Sequence, residues 1–209
     1  MAKPKIILLG SGGHALACID VIEQNDQYRI TGLVGMAGEI NTQHLGYRVI
    51  GTDAELPALA REYPCALIAV GQIGFSEIRM KLYQRASALG FQFPAIASPR
   101  AYISPHAQIG SGTIVMHGAI VNACATVGNN CIVNSRALVE HGATIEDHCH
   151  VATGAVINGD VRLGKGSFVG SGSSVREGSV VGNGCVIGMG LAVRHDLPDG
   201  TLFVGDRKA

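Results

Sequence analysis

The sequence has no tryptophan, few aromatic residues and few charges. Aromatic residues make up 5% of the 209 residues and charged residues 15%, and 16 acidic side chains balance 16 basic ones. A net charge of zero gives no indication of electrostatic attraction to nucleic acids or anionic membranes. The apolar run at residues 6–9 is too short for a signal peptide, and no later run is long enough to cross a bilayer. We therefore expect a soluble, cytoplasmic protein with no nucleic-acid or membrane partner.

What the sequence does contain is a six-residue repeat in its second half. From Ile103 to Val193 an aliphatic residue recurs at every sixth position. The position two residues before each aliphatic residue is mostly Ala, Ser, Thr or Cys, so the two positions share one interior face. One large and one small buried residue in every six is the signature of a parallel β-helix, in which short strands coil and stack.

The six cysteines do not form a disulfide or zinc pattern. Cys131, Cys149 and Cys185 all occupy the small interior position of the repeat, and their spacing places them on one face. Buried thiols of this kind act as small apolar residues, which agrees with a reducing compartment. No CxxC or other tight metal-ligand spacing is present.

The first half begins with a strand, a glycine loop and a helix. Residues 5–9 form an apolar run that enters Gly10-Ser-Gly-Gly-His14, and an amphipathic helix is predicted over residues 15–24. The glycines match G-x-G-x-x-A, and such a loop either binds a phosphate at the helix N-terminus or is a tight turn of an ordinary α/β fold. A dinucleotide site would place an acid after the second strand, but Gly35 and Met36 stand there, so NAD is not expected.

The rest of the first half alternates strands and helices. We predict strands at 48–51, 65–70 and 91–97 and helices at 53–63 and 74–90, the last with Arg79, Lys81 and Arg85 on its outer face. Alternation of this kind indicates a small parallel, Rossmann-like sheet whose ligands lie beyond the carboxyl ends of the strands. The predicted domains are an α/β unit over residues 1–98 and a β-helix over residues 99–209.

Several short motifs add a family resemblance that covers nearly the whole chain. They are Gly-Ser-Gly-Gly-His at 10–14, Ala-Val-Gly at 69–71, Ser-Pro-His-Ala at 104–107, Asn134, Glu140-His141 and His150. With the repeat, they resemble bacterial acetyltransferases of the sialic acid O-acetyltransferase type, which include N-acetyltransferases of nucleotide-linked amino sugars. The resemblance implies a left-handed β-helix and a homotrimer. It also implies that acetyl-CoA lies between neighbouring β-helices and that the α/β domain holds the acceptor nucleotide.

The resemblance also implies the site residues. His141 matches the general base, and neutral imidazole suits that task near pH 7. His150 matches a histidine near the acetyl-CoA thioester. The expected acetyl-CoA contacts are His150, Gly159, Ser171 and Met189, and the expected acceptor contacts are Gly12, Gly13, His14, Gly71 and Asn134.

Two departures from the family pattern concern acidic residues. Family members often carry an acid immediately after the catalytic histidine, where this chain has Gly142, and an acidic pair where it has Gly35 and Met36. We expect acetyl-CoA-dependent N-acetylation of a nucleotide-linked amino sugar for surface glycans, by direct attack. The alternative is O-acetylation of a sugar of the sialic acid type.

Two further functions stay open from the sequence. His106, His117, His141 and His148 permit a zinc enzyme of the γ-carbonic anhydrase type, although no two of them are 18 residues apart, so none stacks directly on another. The repeat is also compatible with a non-catalytic scaffold, because it specifies shape and not chemistry. We expect no metal.

Overall fold

The computed structural model describes residues 2–75 and 77–205, which form an α/β unit followed by a β-helix. The α/β unit contains a five-stranded sheet in the order β3-β4-β2-β1-β5. Its elements are β1 (Lys5–Leu9), α1 (Gly13–Asn25), β2 (Arg29–Val34), β3 (Gln43–His44), β4 (Tyr47–Gly51), α2 (Leu56–Glu62), β5 (Cys65–Ile68) and α3 (Glu77–Ala88). The apolar strands β1 and β5 are almost entirely buried; β1 is an inner strand of the sheet and β5 an edge strand.

The sheet differs from the predicted parallel sheet in one edge strand. β4, β2, β1 and β5 pair in parallel, but the two-residue strand β3 pairs with β4 as an antiparallel hairpin. The predicted strand at 91–97 also divides. Gln92 forms a single bridge with Cys65, whereas Ile96–Ala97 pairs with Ile114–Val115 and so belongs to the β-helix.

The prediction that Arg79 lies on the outer face of α3 is wrong. Arg79 is only 1% exposed, whereas Ile78, which apolar spacing placed inside, is 72% exposed. The guanidinium donates to the backbone oxygens of Ile68 and Val70 at the end of β5 and to both oxygens of Asn130 in the β-helix. Backbone and amide oxygens thus compensate the buried charge of a side chain that the helical periodicity had predicted to be exposed to solvent.

The second half forms the expected β-helix of two-residue strands on three faces. The first face contains β6 (Ile96–Ala97), β9 (Ile114–Val115), β12 (Ile132–Val133), β15 (His150–Val151), β18 (Phe168–Val169), β21 (Val186–Ile187) and β23 (Leu202–Phe203). The second face contains β7 (Tyr102–Ile103), β10 (Ile120–Val121), β13 (Leu138–Val139), β16 (Val156–Ile157), β19 (Ser174–Val175) and β22 (Ala192–Val193). The third face contains β8 (Gln108–Ile109), β11 (Thr126–Val127), β14 (Thr144–Ile145), β17 (Arg162–Leu163) and β20 (Val180–Val181).

From β6 to β19 each strand pairs in parallel with the strand three places later, so residues 18 apart form a column along the β-helix, and β21 pairs with β23 at its end. We call each 18-residue turn a coil. The predicted interior positions form one continuous buried cluster that runs through all three faces. Cys131, Cys149 and Cys185 are buried in it, and each thiol also donates to a backbone oxygen of the coil that follows. The thiols therefore contribute directional contacts in addition to apolar volume.

The α/β unit packs on the first face of the β-helix. Ile114 and Ile132 point outward from that face but are fully buried, because they share a core with Cys18 and Ile19 of α1. At the edge of this contact the imidazole of His117 joins the hydroxyl of Ser98, at 2.6 Å, to the carboxylate of Asp20 on α1, at 2.7 Å. The outward positions of the first face thus form an interface that the hexapeptide pattern does not predict.

Within the residues described, no helix has both the length and the apolar character that crossing a membrane requires.

Candidate active site

A cleft of about 1390 Å³ lies where the α/β unit meets the first face of the β-helix. Its floor is formed by the glycine loop after β1 and by Val70–Gln72 after β5, as expected for the carboxyl ends of parallel strands. Asn134 and His150 close the side formed by the β-helix. The predicted acceptor contacts Gly12, Gly13, His14, Gly71 and Asn134 therefore all line one cavity.

The glycine loop contains two kinds of glycine. Gly10 has φ +130°, and a Cβ there would come within 2.7 Å of the backbone of Ala69 and Val70, so the close contact between β1 and β5 requires glycine. A Cβ at Gly12 or Gly13 would meet no atom within 4 Å. The missing side chains at Gly12 and Gly13 therefore leave open space at the N-terminus of α1, where backbone N–H groups favour an anion.

His150 lies in the cleft as a neutral imidazole. It projects out of the β-helix, as expected, but the α/β unit covers it to 6% exposure. Its Nδ1 is 2.7 Å from the backbone oxygen of Gln72, so Nδ1 is the donor, and its Nε2 accepts from the amide of Asn134 at 3.0 Å. Burial, aided by the charge of Arg79 and opposed by the hydrogen bond to Gln72, lowers the pKa of His150 to about 4. The neutral ring is therefore fixed in one tautomer.

Three buried polar atoms of cleft-lining residues have no hydrogen-bond partner among the described residues. One is Nε of Arg79, whose other two guanidinium nitrogens are bound, and the other two are Nε2 of His14 and Oε1 of Gln72. Burial, followed by the charge of Arg79 and the proximity of His150, lowers the pKa of His14 to about 3. Because buried polar groups are normally paired, the atoms of His14 and Gln72 are suited to polar groups of a bound molecule.

One carboxylate in the cleft, that of Glu39, was not predicted from the sequence. Gly35 and Met36 follow β2 as noted, but a short 3₁₀ turn, Ala37–Glu39, brings Glu39 back over the glycine loop. Its Oε2 accepts from the backbone of Met36 at 2.7 Å and from the hydroxyl of Ser11 at 2.8 Å, and these bonds, in that order, lower the pKa of Glu39. The feature of the sequence that could have predicted this carboxylate is a glutamate three residues after Met36.

His141 lies outside this cleft, on the corner between the second and third faces. Its side chain is exposed, and its imidazole ring lies against Gly159 in the next coil, where a Cβ would come within 2.6 Å of the ring. Gly159 and His141 are therefore brought together. Within one chain His141 is not among the residues that line the cleft with His150.

The remaining predicted acetyl-CoA contacts lie on a different corner. Ser171 and Met189 are exposed residues of one column between the first and second faces, and Met189 is 78% exposed. The predicted acetyl-CoA contacts thus divide into Gly159 beside His141 and a second group on the corner that follows the first face.

Of the other histidines in the zinc hypothesis, His106 is exposed, whereas His148 and His117 are engaged in packing. His148 is buried, its Nδ1 is 2.9 Å from the amide of Asn130, and its ring packs edge-on against Tyr83. His117 bridges Ser98 and Asp20, as described above. Across residues 2–75 and 77–205 no three His, Cys, Asp or Glu side chains are grouped as metal ligands would be. The geometry therefore gives the zinc hypothesis no support.

Two family models match the chain. The PglD N-terminal domain matches residues 5–86, and the hexapeptide repeat of succinyl-transferase matches residues 124–158 and 160–194. No curated protein sequence matches the chain.

Solved structures resemble the chain over nearly its full length. A mutant of perosamine N-acetyltransferase from Caulobacter crescentus, in complex with CoA and GDP-perosamine, is 30% identical with a TM-score of 0.88, over 95% of this chain and 92% of that one. The acetyltransferase domain of PglB from Neisseria gonorrhoeae, in complex with acetyl coenzyme A, is 32% identical with a TM-score of 0.86, over 95% of both chains. The chain therefore belongs to the left-handed β-helix family of bacterial sugar acetyltransferases, and it is an acyltransferase whose co-substrate is acetyl-CoA.

Proposed function

We propose that this enzyme transfers the acetyl group of acetyl-CoA to the amine of a nucleotide-linked amino sugar used in surface glycans, in the cytoplasm. The observation that carries the proposal is the cleft at the glycine loop. It offers an open helix N-terminus for a diphosphate, the Glu39 carboxylate and two unpaired polar atoms, in a volume large enough for a nucleotide sugar. Relatives that bind GDP-perosamine and CoA support the same acceptor class.

His141 is the proposed general base. It is an exposed imidazole on a corner of the β-helix, and it rests on Gly159, where any side chain would collide with the ring. The acceptor amine attacks the thioester carbonyl, a C–N bond forms and the C–S bond breaks. His141 takes the proton from the nitrogen and returns it to the departing CoA thiolate.

The enzyme is proposed to be a homotrimer, because a neighbouring subunit could bring its His141 to the cleft, which His141 does not line within one chain. The groove between neighbouring β-helices would then place acetyl-CoA against His150, Gly159, Ser171 and Met189. This arrangement accounts for the division of these residues between two corners.

A panel of GDP-, UDP- and dTDP-linked amino sugars, assayed for CoA release with acetyl-CoA, tests the proposal. His141→Asn should lower kcat by roughly two to four orders of magnitude, because that is the typical contribution of a general base. Cys124 is an exposed cysteine on the same corner, one coil earlier, so Cys124→Ser is the matched control and should retain full activity. Loss of activity in Cys124→Ser would indicate that an acyl-cysteine intermediate forms and would contradict direct attack. Faster reaction of free sialic acid than of every nucleotide-linked amine would replace N-acetylation by O-acetylation.

A further inference from the structure

The His141 corner carries a carboxylate on the same side as the imidazole ring. It belongs to Asp160, which follows Gly159 in the next coil. We infer that Asp160 is a positioning residue for His141: its negative charge, at the same corner as the ring, stabilises the imidazolium formed when the base takes its proton. The inference rests on the function proposed above for His141.

The coil geometry places Asp160 beside His141 from two directions. The backbone N–H of Asp160 donates to the carbonyl oxygen of His141 at 3.0 Å, which fixes the two coils in register. The Asp160 carboxylate overlaps the position that a Cβ atom on Gly142 would take. It therefore lies next to the residue after His141 in the chain and next to Gly159, against which the ring rests.

The second carboxylate at this corner is turned away from the ring. Oε2 of Glu140 accepts from the amide of Asn122 in the preceding coil at 2.8 Å and from the backbone of His141 at 3.2 Å. The ring itself leans toward the following coil, where Asp160 lies. Among the described residues the Asp160 carboxylate has no hydrogen-bond partner of its own, so it is free to respond to charge on the ring.

The corner backbone holds this carboxylate in place. Asp160 has φ +56°, within a column where Gly142 has φ +67° and Gly178 has φ +68°. Aspartate is among the few residues with a side chain that adopt this conformation readily. The other ionisable groups in the neighbouring coils of this corner are Cys124, Arg176 and Glu177. Glu177 is in the column of His141 but two coils away, roughly 10 Å at the usual strand spacing.

The expected effect of this charge has a definite sign. A negative charge near the ring favours the imidazolium, and catalysis requires the neutral imidazole in the free enzyme. Asp160→Asn should therefore move the acid limb of the kcat/KM profile to lower pH and lower its plateau by about tenfold. Glu177→Gln, on the same corner, is the control and should leave both the limb and the plateau unchanged. An Asp160→Asn profile that superimposes on the wild type would overturn the inference.

A carboxylate exchange tests position separately from folding. Gly142→Asp alone brings two carboxylates into the same space and should lower activity. Gly142→Asp combined with Asp160→Gly restores one carboxylate at nearly the same place and should recover most of the activity and the wild-type acid limb. Failure of this double variant, when it is folded by circular dichroism, would contradict the positioning role. Wild-type activity that does not depend on His141 overturns the proposed function itself, whereas His141-dependent activity that ignores Asp160 overturns only this inference.

Discussion

Arg79 is the residue on which the electrostatics of the cleft depend. It is a buried cation bound by oxygen atoms of both the α/β unit and the β-helix, and burial lowers its pKa only to about 10. The arginine therefore remains charged at neutral pH, and its charge disfavours protonation of His14 and His150. The two histidines in the cleft are thus held neutral well below their usual pKa.

This neutrality predicts a loss of stability in acid. His14 and His150 have folded pKa values of about 3 and about 4, below the unfolded value of 6.5, so the unfolded chain binds protons first. Their contribution is fully present above pH 6.5 and is lost as the pH falls toward the folded values. Between pH 7 and pH 5 each histidine should remove about 2 kcal/mol from the free energy of unfolding. Urea unfolding at the two pH values measures this loss.

His150→Asn should reduce that loss by about the contribution of one histidine. The exposed His106→Asn is the matched control and should keep the wild-type difference between the two pH values. An equal loss in wild type and His150→Asn would show that His150 does not contribute to the acid sensitivity.

Residue roles were predictable from sequence only where the backbone repeat determined them. The inward positions, the three interior cysteines and the corner location of His141 follow from a period of six, because a β-helix fixes each side chain by its place in the coil. The burial of Arg79 and the approach of Glu39 to the glycine loop did not follow. Both depend on partners distant in the chain, the oxygens of Asn130 for Arg79 and the hydroxyl of Ser11 for Glu39.

At the scale of elements, the loop between β1 and α1 separates structural from functional glycines. Gly10→Ala should destabilise the protein by about 1–3 kcal/mol, because its φ and its contact with Ala69 both require glycine.

Gly13→Val adds a branched side chain to open space at the mouth of the cleft. It should raise KM for the nucleotide-linked acceptor and leave KM for acetyl-CoA and the melting temperature nearly unchanged. Steady-state kinetics with each substrate varied give the two KM values, and a thermal melt gives the melting temperature. An unchanged KM for the acceptor would show that the acceptor does not bind at this loop.

The elements of the α/β unit were predictable to within a few residues, but their attachment was not. Apart from the strand predicted at 91–97, the predicted strands and helices are present, with Thr52 capping the 3₁₀ turn before α2. The strand Ile96–Ala97 was assigned to the wrong sheet because a short apolar strand carries no information about its neighbour. The outward isoleucines of the first face, such as Ile132, gave no sign in the repeat that α1 covers them.

At the scale of the whole molecule, the separation of His141 from the cleft predicts active sites shared between subunits. His141→Asn and His150→Ala should each be weakly active as homotrimers. Refolded together in equal amounts, they should form mixed trimers in which about a quarter of the sites combine an intact His141 from one subunit with an intact His150 from its neighbour. Activity of the mixture should therefore rise well above that of either variant alone.

Sedimentation analysis of the wild type, the two variants and the mixture gives the oligomeric state of each sample. Trimers in every sample with no gain of activity on mixing would place both histidines of a site in one chain. A fully active wild-type monomer would contradict the shared site and the trimer together.

Because the α/β unit packs on the first face, the coils of the β-helix differ in how much of their surface is covered. Ile114 and Ile132 pack against α1, and His150 contacts Gln72, whereas Leu202 in the final strand is 59% exposed. In a stack where each coil contacts only its neighbours, opening spreads from the least covered end. Thermal fraying should then begin at the C-terminal coils and stop before it reaches the covered ones. His141 lies between β12 and β15, so its corner is in the part of the stack that is expected to open last.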